Sequence, residues 1–249
     1  MQSENGPPPS TLATAWLDVA DRSAFSVRRL ETGRELRFEG PGRVFPCAGD
    51  VALVARGIAF GRPGSGEAPG SEQWVATACG VVRWASGAHR VTAGPKPDEC
   101  AIEVLGGLAH LRVASDVVET DAGADAGSTA GEWRTLSGKQ TIHLRGRAEL
   151  ADTAAVNAAL SACERAAEDV DQTARALASP GAASASKSEL AAKSVTSRGI
   201  ARATCAVAAV RTELEGARDA DRRRLEKALQ RFGEAAPKPI SQPSRARDE

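Results

Sequence analysis

The hydrophobic period changes near residue 150, and that change limits what the chain can fold into. Before it, apolar residues recur at every second position. Ile102 and Val104 flank Glu103; Ala109, Leu111 and Val113 alternate with His110 and Arg112; Ile142 and Leu144 alternate with His143 and Arg145. A period of two sends successive side chains to opposite faces, as a half-buried strand requires. From Asp152 onward, Val156, Leu160, Cys163, Ala167, Val170, Ala174 and Leu177 recur every three or four residues. That spacing lines one face of an α-helix. The chain therefore reads as α+β in two parts. An N-terminal all-β sandwich or short β-solenoid domain is followed by an antiparallel α-helical hairpin.

Further strands are predicted over 36–39, 51–55, 74–79, 81–84 and 89–93. Turn signals separate them at Gly40-Pro41-Gly42, 61–70, 94–98 and Gly106-Gly107. An Ala/Gly/Asp-rich stretch over 121–131 reads as a surface loop. In the second half Asp152 is the predicted N-cap. Ser179-Pro180-Gly181 ends the first helix, because proline cannot continue the hydrogen-bond ladder. A second helix is predicted from near Ser188 to Phe232, with Glu189 at its positive end and local weakening at Gly199 and Gly216. The organisation is then a partly disordered segment over 1–20, a β-domain over 21–149, an Ala-rich hairpin over 150–235 and a disordered tail over 236–249.

Five cysteines are present, Cys47, Cys79, Cys100, Cys163 and Cys205, with no C-x-x-C pair. Zinc-ribbon and thioredoxin-type readings are accordingly weak. Cys163 lies about as far before the hairpin turn as Cys205 lies after it, and Ala and Ser flank both. An antiparallel hairpin brings the two level, within the roughly 4.4–6.8 Å Cα separation that a disulfide needs. The hairpin is apolar mainly through Ala and has little surface of its own to bury. A Cys163–Cys205 bridge is predicted, worth on the order of 4 kcal/mol. Among the other three cysteines at most one more bridge can form.

Charge narrows the partners. Lys plus Arg number 32 and Asp plus Glu number 32, giving no net charge. Nucleic acid and anionic membrane would both favour a basic excess. No apolar run approaches the ~18 residues of a membrane span. The first nine residues, MQSENGPPP, show neither the basic nor the apolar region of a secretory signal. On that ground the chain reads as cytoplasmic, or as exported by a signal encoded upstream. A disulfide favours an oxidising compartment, so the placement expected is periplasmic or associated with the cell envelope, with the cytoplasm as the alternative.

Chemistry-bearing patterns are sparse. The glycine-rich run over 61–70 has no Gly-Lys-Ser/Thr ending, and Gly138-Lys139 is followed by Gln140, so neither is a phosphate loop. His89, His110 and His143 each fall in a predicted strand, and solvent-facing positions are expected for them rather than a metal site. Glu99, Glu103 and Glu119 could pair for acid–base work but read as solvated face residues. Trp16, Trp74, Trp84 and Trp133 read as core plugs, with an exposed carbohydrate platform at Trp74 or Trp84 as the rival. Arg222-Arg223-Arg224 lies among Asp219, Asp221 and Glu226 and reads as a solvated helix face. No catalytic residue, cofactor or metal site is assigned.

Three segments resemble the FecR family: Glu39-Gly40-Pro41-Gly42-Arg43-Val44; Val75-Ala76-Thr77-Ala78-Cys79-Gly80-Val81-Val82-Arg83-Trp84; and Ile102-Glu103-Val104-Leu105-Gly106-Gly107-Leu108-Ala109. The resemblance spans roughly 30–147. It implies an all-β extracytoplasmic domain of the kind found in regulators of ferric-citrate uptake. Such proteins sit in the inner membrane, sense a transporter and control an extracytoplasmic-function sigma factor. The Ala-rich helix pair resembles C-terminal extensions of envelope-associated FecR-like proteins. Signalling members carry an anti-sigma segment and a membrane helix, and neither is found in these residues. The resemblance implies a non-enzymatic module working by protein–protein contact in the envelope. The alternatives are a glycan-binding envelope protein, or a hydrolase with a pocket joining His to a nucleophile.

Overall fold

A computed structural model describes residues 16–28, 35–46, 51–62, 72–120, 131–179, 184–216 and 218–231. The first part holds β1 (Leu17–Val19), β2 (Ala24–Arg28), β3 (Glu35–Phe45), β4 (Val51–Arg62), β5 (Gln73–Ala76) and β6 (Gly80–Ser86). It continues with β7 (His89–Ala93), β8 (Glu99–Val104), β9 (Leu108–Val113), β10 (Val117–Glu119), β11 (Trp133–Ser137) and β12 (Gln140–Gly146). Three helices follow, α1 (Thr153–Ala178), α2 (Ser184–Glu215) and α3 (Asp219–Gln230). The architecture is α+β in two parts, with α1 and α2 packed as a hairpin. The predicted tail over 236–249, the 121–130 loop, Cys47 and most of the N-terminal segment lie outside the described residues.

All twelve strands join one curled, mixed sheet, a half-barrel; nine run in the order β10-β12-β8-β7-β4-β5-β6-β9-β11, and β1, β2 and β3 lie off that path. The hub is β4. It pairs β3 along one edge, and on the other it pairs β5 with its first residues and β7 with its last. Strand β3 also carries β1 and β2, so the sheet reaches back to Leu17. Where one face is covered, burial alternates, as in β7, β8 and β12. Where α2 lies over the outer face, both faces close. Ala52 to Ala55 and all of β5 are then buried without alternation, the pattern of a strand covered on both sides.

Gly40-Pro41-Gly42, expected to be a turn, runs inside β3. The backbones crowd there. A Cβ on Gly40 would lie 2.1 Å from the Ala20 carbonyl oxygen, and one on Gly42 would lie 2.7 Å from that of Arg56. The glycines let neighbouring strands approach across a register irregularity. The expected second helix is two helices, because Gly216 takes φ +88° and ends α2.

The half-barrel is filled by Phe38, Val44, Val54, Trp84, Ile102, Leu111 and Leu144, all buried. His89, expected to face solvent, belongs to this core. It is fully buried and stacks on Trp84 with centroids 4.8 Å apart. In α1 the Asp152 side chain accepts from the Ala155 N–H at 2.6 Å. The buried stripe runs Val156, Leu160, Cys163, Ala167 and Val170, and then takes Thr173 in place of Ala174. Cys163 and Cys205 are bonded, their Cα atoms 4.6 Å apart.

Candidate functional site

The helices are fixed to the sheet by two arginines. Arg211 of α2 is 2% exposed. Its Nε donates to the Ala78 carbonyl at 3.0 Å, and its two terminal nitrogens each donate to the Asp116 carboxylate at 2.7 Å. This is the bidentate geometry that guanidinium and carboxylate favour. Burial alone would raise the pKa of Asp116, but the hydrogen bonds and charge of Arg211 outweigh it and hold the carboxyl below its ordinary range. Ala78 sits in a tight turn between β5 and β6. There Thr77 N–H donates to the Gly80 carbonyl at 2.9 Å and Cys79 N–H to the Thr77 hydroxyl at 3.2 Å. The second arginine, Arg43 of β3, donates to Asp18 at 2.9 Å and to Glu213 of α2. Thus α2 is docked on β3 and on the turn between β5 and β6.

Docking leaves a cleft of about 400 Å³ between the C-terminal end of β9, with the turn that follows it, and the α1–α2 hairpin. Arg112 enters it from β9 and Arg165 from α1. Ser115, Asp169 and Thr204 border it, and Arg211 with Asp116 closes one end. The floor is apolar, made by Val81, Ala159, Ala203 and Val207. Arg211 is neutralised by Asp116. Arg112 and Arg165 have no ion-pair or hydrogen-bond partner among the described residues. Burial makes the Arg112 guanidinium less basic than usual, because desolvation disfavours an uncompensated charge. Farther along the same outer face Arg83 lies over Trp133, 4.9 Å from the ring centroid, and over Trp74 at 5.7 Å. Arg202 of α2 also lies over the Trp74 ring, at 5.7 Å.

The residues singled out by sequence scatter. Cys100 is the register partner of Leu144 and His143 that of Ala101. Successive strand positions face opposite ways, so the thiol and the imidazole leave opposite faces of the sheet. His110 Nδ1 lies 3.2 Å from the Thr135 hydroxyl, and burial, with Arg83 nearby, lowers its basicity. Glu99, Glu103 and Glu119 are each within ion-pair distance of a different cation: Lys96 at 3.3 Å, Arg90 at 3.7 Å and Arg134 at 2.8 Å. Trp74 is 5% exposed and Trp84 1%, so neither forms a carbohydrate platform. In the Arg222–Arg224 run, Arg224 reaches α1, where it bonds Glu164 at 2.9–3.0 Å and Asn157 at 2.9 Å. Arg112 and Arg211 were missed by the sequence reading. Arg211 had a signal, since a lone cation directly after the apolar run Ala206-Val207-Ala208-Ala209-Val210 marks a charge carried into the interior. Arg112 had none, because alternation with Leu111 and Val113 reads as an ordinary exposed face.

No protein-family model matches the chain, and no curated protein matches it. Among solved structures, it is similar to two crystal structures of a "putative anti-sigma factor" from Parabacteroides distasonis ATCC 8503, at 14% and 15% identity and a TM-score of 0.37. Each similarity covers 55% of this chain and 61% of the other, so the chain spans less than two thirds of that protein's length.

Proposed function

We propose that the chain is a non-enzymatic, FecR-like protein-binding module of the cell envelope, with a sensing, regulatory or scaffolding role. Its partner inserts an acidic segment into the cleft between β9 and the helical hairpin. The observation that carries this reading is the pair of arginines, Arg112 and Arg165, which line one cleft and have no ion-pair or hydrogen-bond partner among the described residues. Arg112 is half-buried and Arg165 exposed. A half-buried guanidinium without a counter-ion is costly to keep, and a carboxylate from a partner would repay that cost at Arg112 with bidentate hydrogen bonds. The apolar floor beside them suits a short side-chain anchor. The Cys163–Cys205 bridge supports an oxidising compartment. Nothing about the arrangement requires a cofactor.

The test is charge reversal in the full chain. Arg112→Glu with Arg165→Glu is expected to leave the thermal midpoint within a few degrees of wild type. It is also expected to abolish the large species that wild-type protein forms in native gels of envelope extracts. A double variant that still migrates in that species, or a wild-type chain that runs only as the free protein, contradicts the reading.

A further inference from the structure

The two described cysteines outside the hairpin are placed together. Cys79 ends the clamped turn between β5 and β6, and Cys100 opens β8. Both are buried. In the sheet order β7, β4 and β5 lie between β6 and β8, yet the curl brings the two thiols into hydrogen-bonding contact with each other. The Cys79 sulfur also lies 3.7 Å from the Asp98 carbonyl oxygen, two residues before Cys100. The Thr77 hydroxyl, in the same turn, supports the Cys100 sulfur.

We infer that Cys79 and Cys100 are a second disulfide site, closed when the chain folds in the presence of a disulfide donor, and that it locks to β8 the turn on which α2 docks. The pair has the asymmetry that thiol–disulfide exchange uses. Hydrogen bonds from Cys79 and Thr77, with the charge of Arg211, favour the Cys100 thiolate against the opposing effect of burial. Cys79, which gives the hydrogen bond and is itself desolvated, keeps its proton. Cys100 thiolate attacks a sulfur of a low-molecular-weight disulfide such as oxidised glutathione, and one thiolate leaves. That thiolate takes the Cys79 proton, and Cys79 sulfur then displaces the second thiolate from the mixed disulfide. Two protein thiols lose two electrons and two protons, and the donor becomes two thiols. The carbonyl next to Cys79, that of Ala78, is the one Arg211 holds. Closing the bridge therefore stiffens the seat of the Arg211–Asp116 clamp. This inference does not depend on the partner proposed above.

The experiment is disulfide mapping of the full chain. Reduced protein is refolded in glutathione buffer at a potential where Cys163–Cys205 is fully formed. It is then quenched in acid, alkylated in denaturant and digested. The expected result is a Cys79–Cys100 peptide pair, 2 Da lighter than the two thiol peptides, with Cys47 alkylated. Cys79→Ser is expected to accumulate glutathione on Cys100 at least several-fold over the glutathione that Cys100→Ser accumulates on Cys79. Finding Cys79 and Cys100 both alkylated while Cys163–Cys205 is closed overturns the inference, as does Cys47 paired with either. The mapping of wild-type protein decides the matter even if a variant fails to fold.

Discussion

Arg211 carries the docking of the helices, and replacing it by methionine measures that directly. Methionine keeps the length and apolar volume of the stem but removes three hydrogen bonds, one to the Ala78 carbonyl and two to Asp116. Breaking a buried pair by removing one partner costs about 3–5 kcal/mol. Here the surviving partner can rehydrate, since Asp116 is 37% exposed, so the lower end applies and Arg211→Met is expected to cost about 3 kcal/mol. For a chain of this size that is roughly 6–12 °C in thermal midpoint. A double-mutant cycle with Asp116→Ala, read by urea unfolding, should return a coupling of about 1.5 kcal/mol or more at neutral pH. The pH dependence fixes the sign. The Asp116 carboxyl lies below its ordinary value of 3.8 in the folded chain, so on acidification the unfolded state binds its proton first. The coupling is therefore present above about pH 3.8 and is lost as pH falls through the lower folded value. A cost for Arg211→Met under about 0.5 kcal/mol, or a coupling unchanged down to pH 2, would refute this account of how the helices are held.

Removing the hairpin bridge with Cys163→Ala and Cys205→Ala should cost on the order of 4 kcal/mol by the loop-closure relation, checked by thermal unfolding followed at 222 nm. Gly61→Ala should be worse than Gly138→Ala. A Cβ on Gly61 would sit 2.3 Å from Cζ2 of the buried Trp84, whereas Gly138 has nothing within 4 Å and only a φ of +74° to satisfy. About 1–3 kcal/mol is expected for the overpacked site and about 1–2 for the turn, with urea midpoints giving the order. His110 is held less basic than its ordinary 6.5 in the folded state, so the unfolded chain takes up that proton first and stability falls as pH drops below about 6.5. His110→Gln should flatten that part of a stability–pH curve, and an unchanged curve would show that His110 does not contribute to it.

The sequence carried the architecture well where a single face is buried. Strands β7, β8, β9 and β12 kept a clean period of two, and α1 begins at the Asp152 cap and ends at Ser179, where the sequence placed its two ends. It failed where tertiary contact overrides local signal. Gly40-Pro41-Gly42 has turn chemistry, yet close strands on both sides make it a strand interior. His89 was expected at a solvent-facing position because it is polar, yet it shares the parity of Val91 and Ala93 and packs inward against Trp84. Curl and sheet closure are long-range properties, and no short pattern encodes them. The cleft was invisible for the same reason. Arg112 and Arg165 come from elements more than fifty positions apart, and only the packing of α1 and α2 on the sheet brings them to one opening. The cysteines were partly legible, since hairpin geometry relates Cys163 to Cys205, whereas nothing local relates Cys79 to Cys100.

The central claim is that partners engage this chain at the junction of sheet and hairpin. It is tested most directly by a photo-crosslinking residue placed at Ser115, on the cleft rim, and separately at Val195 on the exposed side of α2, where 74% of the residue is open to solvent. In cells the account predicts one discrete crosslinked protein from Ser115, lost when Arg112 and Arg165 are reversed to glutamate, and no such product from Val195. Equal crosslinking from both positions, or a Ser115 product that survives the charge reversal, would contradict it.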